Sequence, residues 1–424
     1  MSVPKLRFKE FDEAWISTNI QGLVDQNILD KPMDGNHGEI HPTSADYVEN
    51  GIPFVMATDV FDGNVYLDKS KKITKEQADT LRKGFSIEGD ILLTHKATIG
   101  NVAKVPKLDT PYIMLTPQVT YYRVIDYEKL VPDFIKSSFE SKKFQNELIA
   151  LCTGATRLYI GISEQRKLPF SYPSKSEQTK IASFLSAVDE KISQLTQKHE
   201  LLSQYKQGMM QKLFSQKIRF KADDGSEFGE WVQTKLDDLI YLVSGFAFKS
   251  DFFSDKGKKL ITPKNFTTYG KANFTALNTK WTSEVCDEKY ICFPDDLLIL
   301  LTDLTQSCEL LGKPILLSDK DGVVLLNQRI SKVIKKQEIN KNFLLYLFLT
   351  DGFHELVVST ATGTTVKHSS NKIIESYKFG LPCLAEQAKI ANYLSVIDQK
   401  IEVISQQIKQ TKEWKKGLLQ QMFI

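Results

Sequence analysis

The chain has 424 residues, five scattered cysteines and a formal net charge of +3. Such a length exceeds one hydrophobic core and calls for two to four domains, while so small a charge implies no nucleic-acid partner by itself. An odd set of thiols without C-x-x-C spacing excludes a disulfide frame or a zinc ribbon, and no apolar run approaches a membrane span, so a cytoplasmic protein is expected.

In chain order, residues 1–172 read as a mixed α/β domain. Short runs rich in β-branched and aromatic residues, at 52–60, 89–94 and 116–124, are expected strands. A helix is expected from Asp133 to Leu151, with Phe134, Ile135, Phe139, Phe144 and Leu148 on one stripe. A loop at 153–161 leads to a long helix assigned to 173–216. Residues 217–381 form a second domain of the same order, and a second long helix occupies 382–424.

The two long helices are copies. PSKSEQTKIASFLSAVDEKI from Pro173 returns as PCLAEQAKIANYLSVIDQKI from Pro382, with every matched residue shifted by 209, as Glu177 is to Glu386. YKQGMMQKLF from Tyr205 likewise returns as WKKGLLQQMF from Trp414. Each copy carries a 4-3-4-3 apolar spacing. The seam runs through Ile181, Leu185, Val188, Ile192, Leu195 and Leu202 in the first, and Ile390, Leu394, Ile397, Ile401, Ile404 and Ile408 in the second. A mean period near 3.5 residues keeps one stripe facing a partner helix, as in a coiled coil. At ~1.5 Å rise per residue each helix would be about 55 Å long, which suits a spacer. Lys206 and Lys415 interrupt the seam at matched positions and are expected to fix its register. The Glu–Gln pairs at the helix starts read as capping residues.

The domains repeat with less identity. Phe134, Phe139 and Phe144 match Phe343, Phe348 and Phe353, and T-G-A-T at 153–156 matches T-G-T-T at 362–365. GDILL at 89–93 resembles DDLLI at 295–299, and Gln118 sits near Gln328. Gly154 and Gly363 suit a turn with positive φ or a close backbone approach. The fold class expected is α/β (α+β), with two similar globular domains joined by two long antiparallel coiled-coil helices in pseudo-two-fold relation.

No constellation supports catalysis. Asp109-Thr110-Pro111-Tyr112 imitates an amino-methyltransferase loop, and Pro132-Asp133 with Glu140-Ser141-Lys142 imitates a nuclease site, but neither has its required context. There is no phosphate-binding G-x-x-x-x-G-K loop. His37 and His41 have i,i+4 spacing, but Gly35, Gly38 and Pro42 argue against the helix that would aim both at a metal. His199 is a lone polar seam residue.

The repeated P-x-x-x-E-Q-x-K-I-A-x-x-L-S-x-x-D-x-K-I, the T-G-x-T before each helix and the L-R-F…W opening resemble the conserved regions of DNA specificity subunits of Type I restriction-modification enzymes. The resemblance spans the chain and departs from the pattern where Val366-Lys367 follow the second T-G-x-T in place of an arginine. It implies a non-catalytic subunit in which each domain, a target-recognition domain, reads one half of a bipartite DNA sequence. The helices would set the unread spacer and dock two adenine methyltransferase subunits, and two motor-nuclease subunits would complete the enzyme. S-adenosylmethionine, ATP and magnesium would be held by those partners, and neither cofactor nor metal by this chain. Candidate DNA-side residues are Lys96, Lys104, Thr156 and Arg157 in the first domain, and Lys264, Arg329, Thr365 and Lys367 in the second. The alternative is a coiled-coil scaffold whose heads bind proteins.

Overall fold

The computed structural model describes residues 4–154, 158–305 and 307–424. Two compact units divide the chain: Met1–Gln197 with Ser405–Ile424, and Lys198–Ile404. The long helices are Lys175–Phe214 and Leu384–Met422, and each unit takes the first part of one and the last part of the other.

Both units repeat one architecture. In the first, one four-stranded sheet has the order Lys71–Ile73, Ile52–Val55, Ile113–Leu115, Phe85–Ser86, and a second has the order Met33–Asp34, Val119–Tyr122, Ile91–Lys96, Thr98–Lys104. Ile113–Leu115 runs parallel to Ile52–Val55, whereas Val119–Tyr122 is antiparallel to Ile91–Lys96. The chain therefore crosses from one sheet to the other through Thr116-Pro117-Gln118. In the second unit Val324–Leu326 runs parallel to Lys258–Ile261, and Ile330–Lys335 pairs antiparallel with Leu297–Leu300. Asn327-Gln328-Arg329 makes the corresponding crossing.

The helix expected over 133–151 is two helices, Pro132–Glu140 and Lys142–Ala150. Ser141 between them is extended, and its hydroxyl accepts from the Phe144 amide, as a serine does when it caps a new helix. Thr350 does the same between Lys341–Phe348 and Asp351–Ser359 in the second unit, accepting from the Phe353 amide. The break lets Phe139 stack on Phe144 with ring centroids 4.1 Å apart, inside the core that also receives Ile181, Leu185 and Val188.

Glu177 and Glu386 do not cap their helices. Each is fully buried and clamps the opening segment of its unit. Arg7 donates to both Glu177 oxygens at 2.8 and 2.7 Å, and Trp15 Nε1 lies 3.4 Å from the same carboxylate. Arg219 donates to both Glu386 oxygens at 3.0 and 2.8 Å, and Trp231 Nε1 donates at 2.9 Å. The neighbouring Gln178 accepts from the Val131 amide and donates to the Lys129 and Pro173 carbonyls. Gln387 accepts from Asn340 and donates to Pro382. These side chains satisfy backbone groups of the helical layer, so the duplicated Glu–Gln pair ties three segments together.

Within each unit the two helix segments run antiparallel, held by a matched set of contacts. In the first, Lys415 Nζ lies 2.7 Å from Asp189, and the Phe184 and Trp414 rings meet edge to face at 6.0 Å. In the second, Lys206 Nζ lies 2.6 Å from Asp398, and the Tyr205 and Tyr393 hydroxyls are 2.6 Å apart. Lys415 and Lys136 also bracket Glu140, at 2.6 and 2.8 Å. Of the seam residues, Ile181, Leu185, Val188, Leu195, Ile390, Leu394, Ile397 and Ile404 are buried, whereas Ile192, Leu202, Ile401 and Ile408 are half-buried.

Removing one partner of a buried ion pair strands the other. Glu386→Ala should lower the stability of the second unit by about 3 kcal/mol in urea unfolding of the whole chain; an unchanged midpoint would remove the clamp from this account. Burial by itself would raise the Asp189 pKa, but Lys136 and Lys415 outweigh it and hold the carboxyl below its ordinary value. With the folded-state pKa depressed, its contribution is present in full above the unfolded value, ~3.9, and is lost as pH falls through the folded value. Asp189→Asn should therefore flatten the decline in melting temperature between pH 5 and pH 3; parallel declines for both proteins would contradict this.

Candidate nucleic-acid interface

Some of the candidate residues gather where the chain changes sheets. In the first unit the Gln118 carbonyl accepts from the His95 amide at 2.9 Å, and the His95 carbonyl accepts from Ile160 at 3.1 Å. The loop from Thr153 is closed by reciprocal bonds between Thr153 and Tyr159, both 2.9 Å. The second unit repeats this: Arg329 accepts from Leu301 and Leu301 from Ser369, both 2.9 Å, and Thr362 and His368 bond reciprocally at 3.0 and 2.8 Å. Gly154 and Gly363 adopt φ of 101° and 98°, which side chains other than glycine rarely tolerate.

Close approach explains a second glycine pair. A Cβ on Gly35 would lie 1.8 Å from the Leu115 carbonyl oxygen, and one on Gly245 would lie 2.3 Å from that of Asn327. Both positions press one strand end against the crossing turn. This register makes Arg329, rather than Gln328, the structural counterpart of Gln118.

Lys96 lies exposed at this end of Ile91–Lys96, and no carboxylate pairs with it among the described residues. Lys104 is not brought there. It pairs with Ile91 at the far end of the same hairpin and is held 2.7 Å from Asp133, so its charge is already engaged. Thr156 and Arg157 lie outside the described residues. In the second unit Lys264 is exposed on the turn Pro263–Asn265, which follows the strand parallel to Val324–Leu326. Arg329 is half-buried, and its guanidinium has no acceptor among the described residues. Lys367 stands in register with Asp303, and Thr365 is exposed on the closing loop. The structure thus gathers Lys96 in one unit and Lys264, Arg329 and Lys367 in the other at equivalent ends.

Residues that the sequence did not single out as DNA-side candidates line an open pocket of about 420 Å³ beside Lys96: His37, His41, Thr116 and Gln118, with Tyr47, Met56 and Pro117 as apolar walls. Among the described residues no group of three potential metal ligands exists. His37 instead meets Asp34 at 2.9 Å, and Lys83 binds the other oxygen. Burial would raise the Asp34 pKa, but Lys83 and His37 hold it below the ordinary carboxylate range. Behind them, burial pushes the His95 pKa down, so the ring is neutral and donates from Nδ1 to the Ile160 carbonyl. The arrangement offers hydrogen-bond donors and positive charge on a concave surface, which is the chemistry that phosphates and base edges require.

The family model of the Type I restriction modification DNA specificity domain matches residues 33–204 and 229–413. The chain is 26% identical to the Type I restriction enzyme MjaVIII specificity subunit of Methanocaldococcus jannaschii, over 94% of this chain and 88% of that protein. It is 24% identical to the putative MjaX specificity subunit of the same organism, over 87% and 85%. Among solved structures, the Type I restriction-modification S subunit of M. genitalium superposes with a TM-score of 0.57 at 18% identity, covering 100% of this chain and 99% of that one. A chain from a Type I restriction-modification assembly superposes with a TM-score of 0.56 at 15% identity, covering 97% and 98%. No helix among the described residues is long and apolar enough to cross a membrane. With two copies of its domain accounting for most of the sequence, the chain belongs to the Type I restriction-modification DNA specificity family.

Proposed function

We propose that each unit reads one half of a split, asymmetric DNA sequence, and that the two long helices fix the length of the unread gap and dock adenine methyltransferase subunits. The observation that carries this reading is a matched framework bearing unlike side chains. Lys96, Thr116 and Gln118 in one unit stand where Thr302, Asn327 and Arg329 stand in the other, while Glu177, Gln178, Asp189 and Lys206 recur in the second helix or its partners almost unchanged. Equal scaffolds with different reading ends fit two unrelated half-sites. Near-identical helices fit a partner present in two copies.

Side chains exposed on the helices support the docking role. Leu201 and Tyr205 lie one turn apart on the first helix, and Val396 and Val403 two turns apart on the second; each is about half exposed despite its apolar surface. Methyl transfer would occur on the docked subunits, which hold S-adenosylmethionine, and two motor-nuclease subunits using ATP and magnesium would complete the restriction enzyme. This chain would supply recognition and geometry.

Co-expression with an adenine methyltransferase subunit, followed by long-read mapping of modified adenines, tests the reading. One bipartite motif with two unrelated halves and a constant gap is expected; absence of modification in a verified complex would turn attention to a scaffold whose heads bind proteins. A four-residue insertion in the first long helix adds about 6 Å and should lengthen the gap while leaving both half-sites intact. New half-site sequences would refute that division of labour. Binding of the complex to its motif should weaken by orders of magnitude between 50 and 200 mM salt if several phosphates are neutralised, as a fluorescence-anisotropy titration would reveal.

A further inference from the structure

The pocket of the first unit holds buried polar atoms with nothing to bond. Thr116 is 4% exposed, lines the pocket, and its hydroxyl has no hydrogen-bond partner; His41 Nδ1, on the opposite wall, is also unpartnered. Buried polar groups left unpaired are rare and destabilising, so two lining one pocket point to a partner that arrives from outside.

The chemistry of the walls narrows that partner. Lys96 can only donate, and the Gln118 amide has no partner among the described residues. The nearby carboxylate, Asp34, is engaged by Lys83 and His37. Lys96 is thus the pocket's cation without an acceptor, while the Gln118 amide offers a donor and an acceptor alike. A bare phosphate would supply acceptors, but Tyr47, Met56 and Pro117 give it apolar walls that it cannot use. A base edge uses both: guanine offers adjacent O6 and N7 acceptors in the major groove on a flat, weakly hydrated ring, which Lys96 and the Gln118 NH2 can share, whereas adenine would engage the Gln118 amide alone and leave Lys96 without an acceptor.

Resting on the reading of each unit as a DNA half-site reader, we propose that the end of the second-sheet strand and the first and third residues of the crossing turn choose the base that each unit reads. In the first unit these are Lys96, Thr116 and Gln118, and their pocket takes the acceptor edge of a guanine. In the second unit the same places carry Thr302, Asn327 and Arg329, fixed by the matching bonds from Leu301 to Arg329 and from Ser369 to Leu301. The Ser369 hydroxyl is the buried orphan at that end.

The test transplants one set into the other. The full chain carrying Lys96→Thr, Thr116→Asn and Gln118→Arg is co-expressed with the methyltransferase subunit, and its methylated motif is compared with that of the native chain. The first half-site should contain a guanine, and the variant should lose at least ~10-fold of its discrimination there while the second half-site stays unchanged. Recovery of the native motif at lower yield would mean phosphate contact and would overturn the assignment. So would an unaltered motif at full yield, or a half-site without guanine. If the triple variant does not fold, as judged by its melting temperature, Lys96→Ala and Gln118→Ala separately carry the same comparison. A native chain that directs no bipartite motif at all would instead overturn the half-site reading on which this proposal stands.

Discussion

A buried carboxylate at the first turn of a long helix holds each unit together. Glu177 and Glu386 are removed from water, and each is matched by a two-pronged arginine and an indole N–H. A buried ion pair of this kind gives uncertain net stability, because desolvation offsets much of the attraction. Its value is directional. An arginine fork meets a carboxylate in one plane, so the opening segment of the unit can dock on the helix in one way only. Phe8 beside Phe184, and Phe220 beside Tyr393, then pack where the clamp has put them. A purely apolar contact would permit sliding along the helix; the clamp does not.

The same logic governs the helix pairing inside each unit. Apolar seams repeat every three to four residues and would tolerate a shift by one heptad. Lys206 and Lys415 break that degeneracy, because each must find Asp398 or Asp189 or be left buried without a counter-charge. Aromatic neighbours mark the same register, Tyr205 with Tyr393 and Phe184 with Trp414. Two polar interruptions thus define what a dozen aliphatic residues leave open.

These features were legible in the sequence because they demand particular residues at fixed separations along one helix, and duplication displays such demands twice. The seam, the lysines and the glycines with positive φ could be read directly. Glu177 and Gln178 could be seen but were misread as caps, since their partners Arg7, Trp15 and Val131 lie far away in sequence. The split at Ser141 escaped because the apolar stripe continues through it, and only the hydroxyl cap betrays the break. The reading end was least visible. Its residues come from positions near 37, 96, 117 and 160, joined only by strand register, and their identities differ between the halves, so self-comparison hides them. The pairing of Gln118 with Arg329 depends on a one-residue offset that the hydrogen bonds of His95 and Leu301 reveal.

That contrast bears on how such a chain can change. The clamp and the register lysines couple residues distant in sequence, so altering one member strands a charge in the core. The crossing turns make few such demands: their backbone is fixed by carbonyl and amide groups that any side chain would supply, and by Gly35 or Gly245 beneath them. Side chains there are held in place by the frame and, apart from Asn327 Oδ1, which accepts from the Arg329 amide at 3.2 Å, contribute little to it. Two units of one architecture can therefore carry lysine, threonine and glutamine in one case and threonine, asparagine and arginine in the other at little cost to folding. The physical separation between what holds the fold and what faces the ligand makes recognition replaceable while assembly stays constant.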